Sequence, residues 1–174
     1  MPVTRPSKHP TASRLGAIAR RLLEASTLCA IATVSPDGRP HINTAYFAWG
    51  PGYEIVWLSA PEARHSRNVR AAGAAAIAVF RSTQTWGGSD RGIQIFGRAR
   101  ELRGRDALDA ERLYAARFRS YDADLDAYRF YRLRTNRMKL FDERVLGGGT
   151  FVTVRVGPSG RIAWERTERY VGGE

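Results

Sequence analysis

Cysteine is almost missing from this chain. Cys29 is the single one in 174 residues, which excludes an internal disulfide and most thiolate metal sites. Its place in an apolar run reads as a buried core thiol. Histidine is scarce too, and His9, His41 and His65 lack metal-ligand spacing, so no zinc or iron centre is expected. No apolar run approaches the roughly 20 residues of a membrane-spanning helix. The longest, around Thr27–Val34 and Ala71–Phe80, have the length of strands. No apolar segment follows Arg5 and Lys8 near the start, so no signal peptide is expected and the cytoplasm is the expected compartment. There is no Walker A loop and no dinucleotide fingerprint. Gly157-Pro158-Ser159-Gly160-Arg161 is not a nucleophile elbow, because it reads as a hairpin turn rather than a strand-to-helix turn.

What is present is arginine. The formal net charge is +11, and Lys8 and Lys139 are the only lysines. A basic balance points to anionic partners or to a solvated basic surface. The arginines are scattered along the chain rather than packed into one run, which favours the solvated surface. The 43% apolar content and mean hydropathy of -0.38 fit one soluble globular domain with a core of its own.

Residues 1–10 read as a flexible N-terminal arm and 11–174 as a single domain. Leu15, Ile18, Ala19, Leu22 and Leu23 recur at helical spacing, with Thr11 or Ser13 available as cap. Thr27–Ser35, Arg39–Trp49 and Tyr53–Ser59 read as three strands of a meander, joined by Ser35-Pro36-Asp37-Gly38 and Gly50-Pro51-Gly52 turns. Pro61–Ala72 reads as a helix capped from Ser59, with Glu62 three residues after the cap. Ala74–Phe80 reads as a strand buried on both faces, Arg81–Asp90 as a loop and Arg91–Leu102 as a long strand. A helix over about Asp106–Phe118 follows. Tyr128–Leu133 and Arg137–Asp142 read as two strands, Gly147–Gly149 as a turn, and Thr150–Val156 with Arg161–Trp164 as a closing hairpin. Hairpin-linked strands with helices between groups predict a mainly β, α+β fold: an antiparallel barrel with flanking helices, not a doubly wound sheet.

The stretch Ser59–Val69 carries the most chemistry. A helix start offers free N–H groups and the positive end of the dipole, and Arg64, His65 and Arg67 lie within two turns of it. Together these make a pocket for a phosphate monoester. Gly38-Arg39-Pro40-His41-Ile42-Asn43-Thr44-Ala45-Tyr46-Phe47, followed by Tyr53–Ser59, Ser59–Arg70, Ala74–Phe80 and Arg91–Ala99, resembles in order and spacing the pyridoxamine 5′-phosphate oxidase-like, FMN-binding split β-barrel family. The resemblance covers about Leu15–Leu146. It implies a homodimer with the cofactor in a groove between two barrels, and FMN-dependent oxidoreductase activity on a small organic substrate.

Residue by residue, the resemblance puts Arg64 in the place of the family's phosphate arginine, and His65 where lysine is usual. A histidine there makes the grip pH-dependent. Ser66 and Val69 continue that segment. Asn43, Thr44 and Ala45 border the flavin ring and ribityl chain, with Asn43 replacing an arginine of the vitamin B6 oxidases and Ala48 a phosphate lysine. Leu58 and Ser59 match the turn beside the phosphate. Gln94 falls two residues along from a family glutamine, and Trp86 can cover ring or substrate. His41 and Tyr46 are candidate proton donors, and Tyr128, Phe130 and Tyr131 read as packing. The residues that grip pyridoxamine phosphate are not recognisable, so the resemblance is to a divergent member. Two further readings stand beside it: a reductase using the deazaflavin F420, and a non-catalytic flavin- or haem-binding protein. Arg91–Phe96 echoes an RNA-recognition strand but lacks its paired aromatics. Neither nucleic acid nor membrane is therefore expected as a partner.

Overall fold

A computed structural model describes residues 3–4, 9–122 and 124–171. In chain order the elements are β1 (Val3–Thr4), α1 (Ala12–Glu24), β2 (Leu28–Val34), β3 (Pro40–Trp49), β4 (Ile55–Ser59), α2 (Arg64–Ala72), β5 (Ala74–Phe80), β6 (Arg91–Glu101), α3 (Gly104–Arg117), β7 (Arg129–Asp142), α4 (Glu143–Leu146), β8 (Thr150–Val156) and β9 (Ile162–Tyr170). All strand pairings are antiparallel. The strands run in the order β1-β9-β8-β7-β4-β3-β2-β5-β6, and β6 returns to β7. That return closes six strands into a barrel, which removes their open edges. Among the described residues no helix is long and apolar enough to cross a membrane.

α1 forms for the reason its spacing predicts. Leu15, Ile18, Ala19, Leu22 and Leu23 are all buried in the main core, and the Thr11 hydroxyl accepts from the Arg14 N–H at 3.3 Å to cap the helix. The barrel interior is filled by alternate residues of each strand, among them Cys29 and Ile31, Ile77 and Val79, and Ile93 and Ile95. Burial pushes the Cys29 thiol up to about 12, so it packs as a neutral apolar group. A second cluster lies outside the barrel, where Ala48, Val56 and Phe130 meet Ala110 and Tyr114 of α3. The aromatic run at the start of β7 therefore divides: Tyr131 points inward onto Trp57 with ring centroids 5.7 Å apart, Phe130 points outward onto Tyr114, and Tyr128, one residue before the strand, is exposed. Arg117 ties α3 to the end of α1 by donating to the Leu23 and Ser26 carbonyls, and its guanidinium covers the Phe47 ring.

The structure departs from the sequence-based reading at several places. β7 is one strand of 14 residues, not two. Asn136 is an extra residue opposite the Phe96/Gly97 step, and such a bulge lets a strand continue through a break in alternation. Gly97 is required there, because a Cβ on it would sit 2.1 Å from the Arg134 carbonyl oxygen. β9 runs on to Tyr170 because its charged half pairs across the sheet, with Glu165 meeting Arg137 and Arg155, and Glu168 meeting Lys139. β5 is buried on one face only; Ala76 and Ala78 on its other face are half-exposed, and Ala74 and Phe80 are exposed. α2 starts at Arg64 after a turn closed by the Ala63 N–H on the Ala60 carbonyl, and Ala63 caps it without a side-chain bond. The expected cap from Ser59 is absent because Ser59 belongs to β4. Of the expected N-terminal arm, only Val3–Thr4 and residues 9–10 are among the described residues. Val3 and Thr4 pair with Tyr170 and Arg169, and His9 stacks on Trp164.

Candidate functional site

The barrel is split between β3 and β4. Pro40–Tyr46 pair with β2 along their whole length, whereas β4 pairs only with Phe47, Ala48 and Trp49. Beyond that point β4 stays with β7, through Leu58↔Phe130 and Ser59↔Arg129. The other edge of Pro40–Tyr46 therefore has no strand partner among the described residues. A free edge presents a row of backbone N–H and C=O groups that need partners.

α2 lies across this opening. The Ser59 hydroxyl and His65 Nε2 are hydrogen-bonded at 2.7 Å, the His41 and His65 rings stack with centroids 6.2 Å apart, and Asn68 Nδ2 donates to Thr33 Oγ1 at 3.0 Å. One helix is thus pinned to β4 and β2 by hydrogen bonds and set against β3 by the paired imidazole rings. Ser59, His65, Ser66 and Asn68 are buried, so this cluster closes the inner side of the corner. An anion is left with the outer side of the first turn of α2, where the N–H groups have no side-chain cap and Arg64 is exposed. Arg64 lines a cleft of about 470 Å³ with Ser35, Asp37, Arg39 and Arg67. Arg39 pairs with Asp37 and holds its carboxyl below the usual range, and Arg64 adds to that effect. Burial, reinforced by His41, holds His65 below its ordinary value of 6.5.

Asn43 bears on whether this corner fits a flat heteroaromatic group. Its amide Nδ2 donates to the Thr44 carbonyl at 3.4 Å, while its Oδ1 is buried with no hydrogen-bond partner among the described residues. An orphaned buried acceptor is costly unless a ligand or water completes it. Together with the free β3 edge, it fits a ring that carries both donors and acceptors along its rim. The residues fit a flavin.

Several candidate residues gather at this corner: Asn43, Thr44 and Ala45 on the free edge, Leu58 and Ser59 at the end of β4, and Arg64, His65 and Ser66 at the start of α2. Within that group Leu58 turns its side chain toward the second cluster under α3, leaving only its backbone toward the split. Val69 sits in the main core, three residues further along α2. Gln94 lies on β6 in the same cross-sheet row as Thr44, through Ala30 and Ala78. Three strand spacings, about 14 Å, separate the two. Trp86 is fully exposed in the loop before β6. Neither Gln94 nor Trp86 reaches the corner of its own chain. Arg39, Thr33 and Asn68 were not read as site residues from the sequence. Arg39 follows the Ser35–Gly38 turn, and that turn is the signal that could have placed it beside α2.

The chain matches the family model for pyridoxamine 5′-phosphate oxidase over residues 16–142. No curated protein matches it. Among solved structures, a pyridoxamine 5′-phosphate oxidase-related, FMN-binding protein from Nostoc punctiforme is similar at a TM-score of 0.64 and 11% identity, covering 92% of this chain and 97% of that one. A haem-binding protein from Mycobacterium smegmatis is similar at 0.67 and 19%, covering 88% of this chain; this chain spans 61% of that protein. An F420 reductase is similar at 0.54 and 22%, covering 68% and 94%. At such identities these structures share the fold. The family match reaches from α1 to the end of β7 and so takes in the free β3 edge, the end of β4 and all of α2: this chain belongs to the pyridoxamine 5′-phosphate oxidase family.

Proposed function

We propose that this protein is an FMN-dependent oxidoreductase acting on a small organic substrate, with the flavin held between two copies of the chain. The observation that carries the reading is the unpaired edge of β3 lying beside the uncapped start of α2. The edge suits the ring, and the helix start with Arg64 suits the phosphate. A bound flavin supplies hydride or electron-pair acceptance at its N5, so the protein need only bind, orient and shield it. Asn43 Oδ1 accepts from the ring, the first-turn N–H groups of α2 and the Arg64 guanidinium hold the phosphate, and His41 stands on β3 as a proton donor.

The second copy has support on the outer sheet face. Leu28, Val34, Ile42, Tyr46 and Phe80 are large apolar residues exposed there, Ile42 to 67%. The register sets Ala30, Ala32, Ala76 and Ala78 among them. A contiguous apolar face of this kind marks an interface. A partner docked on it brings Gln94 and Trp86 within reach of the corner of the opposite chain, which their own chain does not.

Arg64→Ala is expected to weaken FMN binding by about 1–3 kcal/mol, the scale of a lost charge-assisted hydrogen bond. Fluorescence titration of the apoprotein measures it, and an unchanged affinity removes Arg64 from the site. Turnover with NAD(P)H and a panel of small oxidants separates an enzyme from a flavin carrier.

His65 gives a pH signature. Its depressed value leaves it neutral at pH 7 in the apoprotein, and a phosphate held on the outer side of the same helical turn favours the protonated ring through its charge. Binding therefore takes up a proton, and FMN affinity rises as pH falls from 8 toward 6. The same depression has an opposite sign for the apoprotein: the unfolded chain protonates first, so His65 costs stability as pH drops through 6.5. In His65→Gln the pH slope of FMN affinity is expected to flatten relative to the native protein. Equal slopes in the two proteins contradict the assignment.

A further inference from the structure

We propose that the arginine-lined cleft at the C-terminal end of α2 is a second anion site, shaped for a compact ligand with two or more linked phosphates. It stands independently of the flavin reading. The cleft has a volume of about 1220 Å³. Its floor is the β6–β7 ribbon, and its walls are the end of α2 on one side and the Pro51–Gly52 and Gly157–Ser159 turns on the other. α2 rises about 12 Å from Arg64 to Ala72, so the cleft and the cofactor corner lie at opposite ends of the helix.

The register makes this cleft unusual. Arg98 stands directly opposite Arg134, and Arg100 directly opposite Arg132. All four line the cleft. Like charges directly opposite one another destabilise an antiparallel pair, and here two such pairs stand side by side on one face. Arg70 and Arg103 add to them from the rim. The carboxylates nearby are fewer: Glu101 is shared by Arg70 and Arg103, Asp106 by Arg100 and Arg132, and Glu54 lies at the far wall. Arg98 donates to the Ala72 carbonyl at the end of α2. The Arg134 guanidinium has no hydrogen bond or ion pair among the described residues, and only its backbone is held, in the β6–β7 ladder. Six arginines thus face three carboxylates in a concave site, a geometry that concentrates positive potential.

Guanidinium groups fixed on adjacent strands match phosphate oxygens in pairs, and an oligophosphate relieves both opposed pairs at once. Among the described residues no aromatic side chain lines the cleft, so it offers no stacking platform for nucleobases. That favours a compact anion over a nucleic-acid strand.

The test titrates inorganic tripolyphosphate into the full chain by calorimetry at low salt. An Arg64→Ala background keeps the cofactor corner from competing, and flavin retention in the native background is read separately. One tripolyphosphate per chain is expected, weakened about tenfold or more in Arg134→Gln, the scale of a lost charge-assisted contact, and lost in Arg98→Gln/Arg134→Gln. The unliganded Arg134→Gln protein is expected to melt at or above the native temperature, because the variant removes an opposed like charge. No binding, or binding that survives the double variant, overturns the proposal. A lower melting temperature for unliganded Arg134→Gln overturns it too. Tighter binding of a mixed-sequence single-stranded oligonucleotide through the same arginines overturns the ligand class.

Discussion

Ala78→Arg is expected to give a folded monomer that does not retain flavin. Ala78 lies at the middle of the outer face, opposite Ala30 on β2 and Gln94 on β6. Its side chain points away from the barrel core, so the long arginine stem reaches solvent in an isolated chain and costs the fold little. Pressed between two copies, the same guanidinium is desolvated with no carboxylate opposite it on this face. Burying an unpaired charge costs several kcal/mol, and that corresponds to about two decades or more in a dissociation constant. If the flavin site takes Trp86 and Gln94 from the second copy, dimer and cofactor are lost together. Light scattering gives the mass, circular dichroism the fold and absorbance the flavin content. A variant that stays dimeric with full flavin removes this face from the interface. A monomer with full flavin shows that the site is complete within one chain.

The second large effect is on stability. Trp57→Ala is expected to cost about 3–5 kcal/mol. Trp57 is fully buried on β4, stacked on Tyr131 and opposite Phe47. It fills the barrel two residues before Ser59. The total stability of a domain is about 5–15 kcal/mol, so this one cavity removes a large share of it. The melting temperature is expected to fall by about 10 °C. Trp57→Phe is the informative companion. The indole Nε1 is buried without a hydrogen-bond partner among the described residues. Removing that unsatisfied donor offsets part of the lost volume, and the expected cost is about 1–2 kcal/mol. Chemical denaturation of the three proteins checks the ranking. A Trp57→Ala cost below about 1 kcal/mol contradicts the packing described.

Local signals carried much of this architecture. The spacing of Leu15, Ile18, Ala19, Leu22 and Leu23 specifies α1, because a single buried stripe is a property of one element. The Ser35–Gly38 and Gly50–Gly52 turns give the meander for the same reason, as their backbone geometry is set by adjacent residues. Arg64 and His65 could be placed at the start of α2 because a helix start is also a local feature. What the sequence could not display was set by register. Asn136 becomes an extra residue only once Phe96 and Arg137 are aligned, so β7 reads as two strands until its partner is known. Ser59 reads as a cap until β4 claims it for pairing with Arg129. The arginines show the limit most clearly. Arg98, Arg100, Arg132 and Arg134 are more than 30 positions apart as two groups and look dispersed, yet the β6–β7 ladder sets them face to face. The unsatisfied Oδ1 of Asn43 is likewise invisible without coordinates, because it depends on what β4 fails to supply.

A flavin held at the free edge of β3 is the feature on which every other role at this corner depends. Native mass spectrometry of the protein as purified, read beside its visible spectrum, tests this most directly. The expected result is one FMN per chain on a dimer, with the absorbance of oxidised flavin and loss of the bound mass in Arg64→Ala. Colourless protein that takes up no FMN when it is added, or protein carrying a haem or a deazaflavin in its place, contradicts it.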